Sequence, residues 1–309
     1  MNNSTFALSV FALLLSTVAF NNAPSAPVGA RRKGRQEASR KNADAAVPQA
    51  PLLKRTATRR ETKRLGHGGT LTLSGAPEGS VSVESWPKNE AEVVAEIEVS
   101  AHTEEELARL AAVSGFLLES DFNRLGVTTV GTHDRKYMKR VARDFPKKLL
   151  AMPWRADYRL RVPSVVDLEI ATGRGPVTLS NLDGSVRLDA GGGSPSLFTL
   201  AGGDFEGTVA AGPVRLVVPA RSWRGRGLTL RLVSGDLTLE LPANFDGDID
   251  ADVLRAGRIE NTHPNLSPRD DAPAPTERSL RARAGNGGAP LSLTVGDGTL
   301  RIRQASTQQ

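Results

Sequence analysis

Cysteine is absent from this 309-residue chain. That excludes disulfides, zinc–thiolate sites, thiol catalysis and a lipid-bearing cysteine behind an export signal. Aromatic residues are scarce, at 5% against 39% hydrophobic in total. A core so poor in rings has to be assembled from many small aliphatic layers. Four histidines occur, His67, His102, His133 and His263, far apart and without metal-ligand spacing. Nucleophile elbow, phosphate loop and dinucleotide fingerprint are all missing. The chain therefore reads as non-enzymatic and free of cofactors.

One long apolar run exists, FALSVFALLLSTVAF at residues 6–20. Fifteen uncharged residues are short for a membrane span and suit the core of an export signal. Small residues follow, so cleavage falls after Ser25 or Ala30. The five residues before the run lack Lys and Arg, and the positive cluster lies after it. That distribution also fits a retained anchor. Residues 1–30 thus read as a signal peptide or short anchor. The product is expected to be periplasmic, cell-surface or secreted.

Charge is unevenly spread behind the net +6. Residues 31–64 hold twelve Lys/Arg against three acids, and residues 134–155 hold eight against two. The remainder is acidic, with 20 basic and 29 acidic residues. An acidic body is a poor nucleic-acid binder, and no such partner is expected. Residues 31–65, rich in Ala, Pro, Arg and Lys without apolar periodicity, are expected to be a disordered basic linker.

Glycine dominates what is present. Gly175, Gly184, Gly193, Gly202 and Gly212 follow one another at steps of 9, 9, 9 and 10 residues. Between them apolar residues alternate with polar ones. Val177/Leu179, Val186/Leu188, Phe198/Leu200, Leu228/Leu230/Leu232, Leu237/Leu239/Leu241 and Leu291/Leu293/Val295 share one face at period two. Thr178, Arg187, Arg215, Thr238, Glu240, Arg301 and Arg303 take the other, solvated face. No such unit buries its apolar side alone, so the units must stack. The pattern predicts an all-β fold: a β-solenoid or solenoid-like stack of short strands with Gly turns, plus one or two short helices. The β-repeat domain spans 66–303, with strands and short helices over 66–160, the regular repeat over 158–303, and a tail at 304–309.

Within the first part, GGTLTLSG, GSVSVESW and EAEVVAEIEVSA read as three strands. Thr103 with Glu106 has capping-box spacing and opens a helix running towards Gly115. A second helix is expected in HDRKYMKRVARDFP, with Met138, Val141, Ala142 and Phe145 on one face. Pro-rich residues 261–289 interrupt the beat and are expected to be disordered.

Two sets of side chains are candidate sites. Asp246, Asp248, Asp250 and Asp252 alternate, so a straight strand puts their carboxylates on one side. Such a row could hold Ca²⁺ or serve a sugar-cleaving groove, although Ala251 stands where a calcium loop needs Gly. A turn and a solvated face is the simpler reading. The second set is Arg135, Lys136, Lys139, Arg140 and Arg143. A basic amphipathic helix can lie on an anionic surface, or dock its apolar stripe on the β body.

The stretches GTLTLSGAPEGSVSVESWPKNEAEV, YRLRVPSVVDLEIATGRGPVTLSNLDGSVRLDA, LVSGDLTLELPANFDGDIDADVLRAGRI and GGAPLSLTVGDGTLRIRQ occur in that order. In this order they resemble the bacterial β-strand-repeat DUF4097 family of adhesin-like domains, over roughly residues 66–303. The resemblance implies an exported, non-enzymatic β domain tied to adhesion or envelope stress, and transfers no active-site residues. The basic insertion at 134–155 and the loop at 261–289 depart from it. The leading expectation is an adhesin-like or scaffold module of the cell envelope acting through surface contacts. Its partner would be an envelope polymer, an anionic membrane surface or another envelope protein. Alternatives are an envelope-stress component whose basic segments bind anionic lipid or polymer, and a carbohydrate-active β-helix enzyme.

Overall fold

The computed structural model describes residues 51–75 and 77–305. The apolar run at 6–20, its cleavage points and most of the basic segment lie outside the described residues. In chain order the elements are β1 Leu53–Arg64, β2 Thr70–Ser74, β3 Val81–Trp86, β4 Glu90–Ala101, α1 Glu104–Val113, β5 Gly115–Asp121 and β6 Arg124–Val130. Next come α2 Arg135–Val141, a 3₁₀ turn Lys147–Ala151, β7 Trp154–Pro163, β8 Asp167–Arg174, β9 Val177–Ser180, β10 Ser185–Gly192 and β11 Ser196–Thr199. Then follow β12 Gly202–Ala211, β13 Val214–Val217, β14 Arg224–Ser234, β15 Leu237–Leu241, β16 Gly247–Ala256 and β17 Ile259–Asn261. The last are β18 Leu266–Pro268, β19 Ser279–Ala284, β20 Pro290–Asp297 and β21 Leu300–Gln304.

These strands form two large sheets and no closed barrel. One sheet has the order β1-β4-β7-β3-β9-β11-β13-β15-β21-β17, the other β18-β19-β16-β20-β14-β12-β10-β8-β2-β6-β5. From β8 to β15 the chain crosses from one sheet to the other at every turn, so each coil contributes one strand to each. Pairing through the middle is parallel, as in β10 with β8 and β12. At the ends it turns antiparallel, in β1–β4–β7, β5–β6 and β16–β19–β18.

Period two and parallel pairing together make the core. Leu125, Leu71, Leu168, Val186, Phe205, Leu228, Leu291 and Ile249 align across eight neighbouring strands. All are buried, and with their counterparts on the other sheet they form one core. From Leu168 through Val186 and Phe205 to Leu228 the coils advance by 18, 19 and 23 residues. Every inner position expected from alternation is buried. The one outer position that departs is Glu240, which is also buried. At the N-terminal end Tyr158 of one sheet meets Thr129 of the other through a 2.7 Å hydroxyl hydrogen bond. Burial pushes the Tyr158 phenol up to about 12.

The glycine beat marks half a coil. Gly175 and Gly212 turn at one edge of the stack, Gly184 at the opposite edge. At Gly175 (φ 150°) and Gly235 (φ 137°) the backbone lies where side chains are strained. A Cβ on Gly175 would run into the Gly79 carbonyl, and one on Gly235 into that of Gly212. Coils stack backbone on backbone along this edge, which only glycine allows.

Three expectations change. The end of the basic segment is ordered: residues 53–64 are β1, paired with β4 along its whole length. Edge pairing uses backbone groups, so it needs no apolar pattern. The Pro-rich interruption at 261–289 is also ordered in part, holding β18 and β19. Its prolines sit in the connections and at the end of a short edge strand, where the missing N–H costs nothing. The second helix stops at Val141, so Phe145 packs on the core from the following loop and Val141 faces solvent.

Candidate functional site: a basic groove over an apolar floor

The segment after β6 leaves the stack and returns at β7, building a small helical shelf. Asp134 caps α2, its carboxylate accepting from the N–H groups of Lys136 (2.9 Å) and Tyr137 (3.0 Å). Those backbone bonds hold the Asp134 carboxyl below its ordinary range. Met138 is the buried anchor of α2, and Leu149 that of the 3₁₀ turn. Trp154 lies against His133, their rings tilted by 31° with centres 5.3 Å apart. Burial holds the His133 imidazole below its ordinary value. Lys148 ties the shelf to α1 through Glu106 at 2.5 Å. That hydrogen bond is the main reason the Glu106 carboxyl is lowered.

An open groove of about 930 Å³ runs along this shelf. Met138, Ala142, Phe145 and Leu150 supply its apolar surface, and Arg135, Lys139, Arg143 and Lys147 line it with cations. Lys136 and Arg140 extend the basic surface along α2. Among the described residues, Lys148–Glu106 is the one ion pair made by the cations from Arg135 to Lys148. Six neighbouring cations therefore stand without a carboxylate. The sequence read the basic helix but missed Leu150 and Lys147, because the 3₁₀ turn breaks helical periodicity.

The aspartate row is differently placed. Asp246 lies in the turn before β16, and Asp248, Asp250 and Asp252 share the outer face of that strand. Each is engaged by an arginine. Arg221 meets Asp246 at 2.9 Å, Arg283 meets Asp248 at 2.8 Å, Arg269 meets Asp250 at 2.6 Å and Arg281 meets Asp252 at 2.8 Å. Arg281 and Arg283 come from β19, the strand laid antiparallel against β16. A hard cation needs several oxygens turned on one point. Here the carboxylates turn to guanidiniums, Arg281 reaching Asp250 as well as Asp252, and among the described residues no His/Asp/Glu group has metal-binding geometry. The row thus acts as an ionic seam closing the C-terminal end of the stack.

No family model matches the sequence, and no curated protein matches it. Solved structures with similarity over most of the chain include a candidate cell adhesion protein from Clostridium sporogenes. It is 10% identical, covers 81% of this chain and 100% of its own, and has a TM-score of 0.38. A candidate adhesin from Bacteroides fragilis is 10% identical over 81% of this chain and 97% of its own, with a TM-score of 0.30. A candidate lipid-binding protein from Parabacteroides distasonis has the same identity and coverage and a TM-score of 0.21.

Proposed function

We propose that this chain is a non-enzymatic, exported envelope protein of adhesin-like or scaffold type, in keeping with the DUF4097-like order of its strands. The solenoid is the rigid support and the basic groove is its contact surface. One observation carries this reading: four cations line an apolar floor, two more extend the basic surface along α2, and none of the six has a carboxylate partner among the described residues. Many outer-face cations elsewhere, including Arg215, Arg255, Arg281, Arg283, Arg301 and Arg303, are consumed by internal ion pairs, and those that are not, such as Arg159 and Arg231, are not gathered around an apolar groove. Unneutralised charge on an ordered shelf is suited to an external anionic partner.

The test has two arms. A C-terminally tagged full chain is followed by cell fractionation, and the expected location is the envelope or the medium. Recovery from cytosol alone overturns the localisation. In the second arm the variant Arg135→Glu, Lys139→Glu, Arg143→Glu is compared with wild type for binding to isolated envelope material. Binding is expected to fall by at least tenfold at unchanged melting temperature, since exposed surface charges contribute roughly 0–1 kcal/mol to stability. Equal binding removes the groove from the proposal.

A further inference from the structure

We infer that the groove on α2 and the 3₁₀ turn is a docking site for an anionic lipid bilayer, with Leu150 and Val141 entering the acyl boundary. This rests on the surface-contact reading above and names the partner.

The argument separates two kinds of anionic partner. A polyanion such as a phosphate polymer offers charge and nothing apolar. Cations alone would suffice for it, and apolar side chains among them would carry a hydration cost with no return. In the structure the apolar residues are not withdrawn. Val141 is 49% exposed and Leu150 43% exposed, each interleaved with lysines and arginines. Leu149 belongs to the core and Phe145 and Met152 pack against it, so Val141 and Leu150 are not needed to dock the shelf. Ala142 and Phe145, which line the groove with Leu150, continue the apolar surface, and Val141 is the chain neighbour of Ala142.

A bilayer surface satisfies both halves. Phosphate headgroups meet Arg135, Lys139, Arg143 and Lys147, while the apolar side chains sit at the headgroup–acyl boundary. Two acids lie in the segment. Asp134 is spent on the helix N–H groups, and Asp144 is exposed and forms no ion pair among the described residues. Neither pairs with a groove cation, and the six cations outnumber them. Long cationic stems also lie along apolar surface while their heads reach outward, which lets one shelf present both chemistries.

The cysteine-free chain allows a direct test. The full chain carries Leu150→Cys labelled with an environment-sensitive fluorophore, and Thr208→Cys on the outer face of β12 serves as control. Vesicles of phosphatidylcholine, with or without phosphatidylglycerol, and free polyphosphate are the probes. The expected result is a blue shift at position 150 on vesicles containing phosphatidylglycerol. No shift is expected at position 208, on neutral vesicles or with polyphosphate. Adding Arg143→Glu and Lys147→Glu should weaken vesicle affinity by at least about twenty-five-fold, from roughly fivefold per basic residue. Raising salt should weaken it as well. No shift at position 150 on anionic vesicles overturns the bilayer inference. If polyphosphate binding is then abolished by the same two reversals, the contact surface stands and only its lipid partner falls. If neither probe binds, both fall.

Discussion

Glu240 lies on the outer face of β15, where alternation expects solvent, yet it is 2% exposed. Two neighbouring strands cover it. Arg215 of β13 donates to it at 2.9 and 2.7 Å, and Arg303 of β21 at 3.1 and 2.6 Å. Burial alone would raise this carboxyl, but the hydrogen bonds from the two guanidiniums outweigh it and hold Glu240 below its ordinary value. A depressed carboxyl contributes stability that is present above the unfolded value of about 4.3 and is lost as pH falls through the folded one. Removing both arginines, by Arg215→Ala with Arg303→Ala, leaves a buried charge unpaired and should cost about 3 kcal/mol. Glu240→Gln releases two half-exposed guanidiniums to water and should cost about 1 kcal/mol. Urea unfolding at pH 7 measures both, and the loss from Glu240→Gln should shrink below pH ~4. Equal losses for the two variants, unchanged by pH, would show that shape rather than charge matters here.

At the scale of elements, β1 shows what a pattern-based reading can and cannot see. The strands of the repeat were legible because Val, Leu and Ile alternate with Thr, Arg and Asp, and burial follows that alternation. The helix at Thr103 was legible because its cap is local, with Glu106 N–H donating to the Thr103 hydroxyl at 3.2 Å. β1 has no such signal. Its side chains are almost all exposed, and it is held by the backbone ladder to β4. Side chains add to that ladder: Lys54 pairs with Glu98, Arg55 with Glu104 and Arg60 with Glu92. Arg59 donates to the Phe116 carbonyl at 2.9 Å and lies 4.3 Å from the Phe116 ring centre. Edge strands with so little burial open at low free energy. Arg59→Ala should therefore speed tryptic cleavage within 53–64 several-fold and leave the melting of the solenoid unchanged. A fall in global melting temperature would mean that β1 belongs to the cooperative core. The candidate groove was half legible for a related reason. The cations of α2 follow a helical period, but Leu150 and Lys147 reach the groove from a 3₁₀ turn that no period announces.

The whole molecule is threaded out of sequence order at its C-terminal end. After β14 and β15 the chain builds the outermost coil first, with β16 and β17, and makes the β18–β19 cap. It then returns to lay β20 and β21 in the slot left behind. No composition or period encodes this. Leu228 and Ile249 are 21 residues apart, a step within the 18–23 of the regular coils, so sequence alone favours direct stacking. In the structure Leu291 lies between them, paired to both. The last strands are thus interior ones. Gly298 stacks between Gly235 and Gly257, and Arg255 is paired with Asp297. In an ordinary solenoid the terminal repeats fray first, because each has one neighbour. Here β20 and β21 have two, and fraying them opens both sheets at once. Native-state hydrogen exchange should find them protected like β12 and β14. Truncation after Gly288 should strip protection from β16 to β19 by orders of magnitude while β8 to β12 keep theirs. If β16 to β19 stay protected, the outer coil has slid in to close the slot at the 21-residue step. The last two strands would then be an insertion into a stack complete without them, and not its lock.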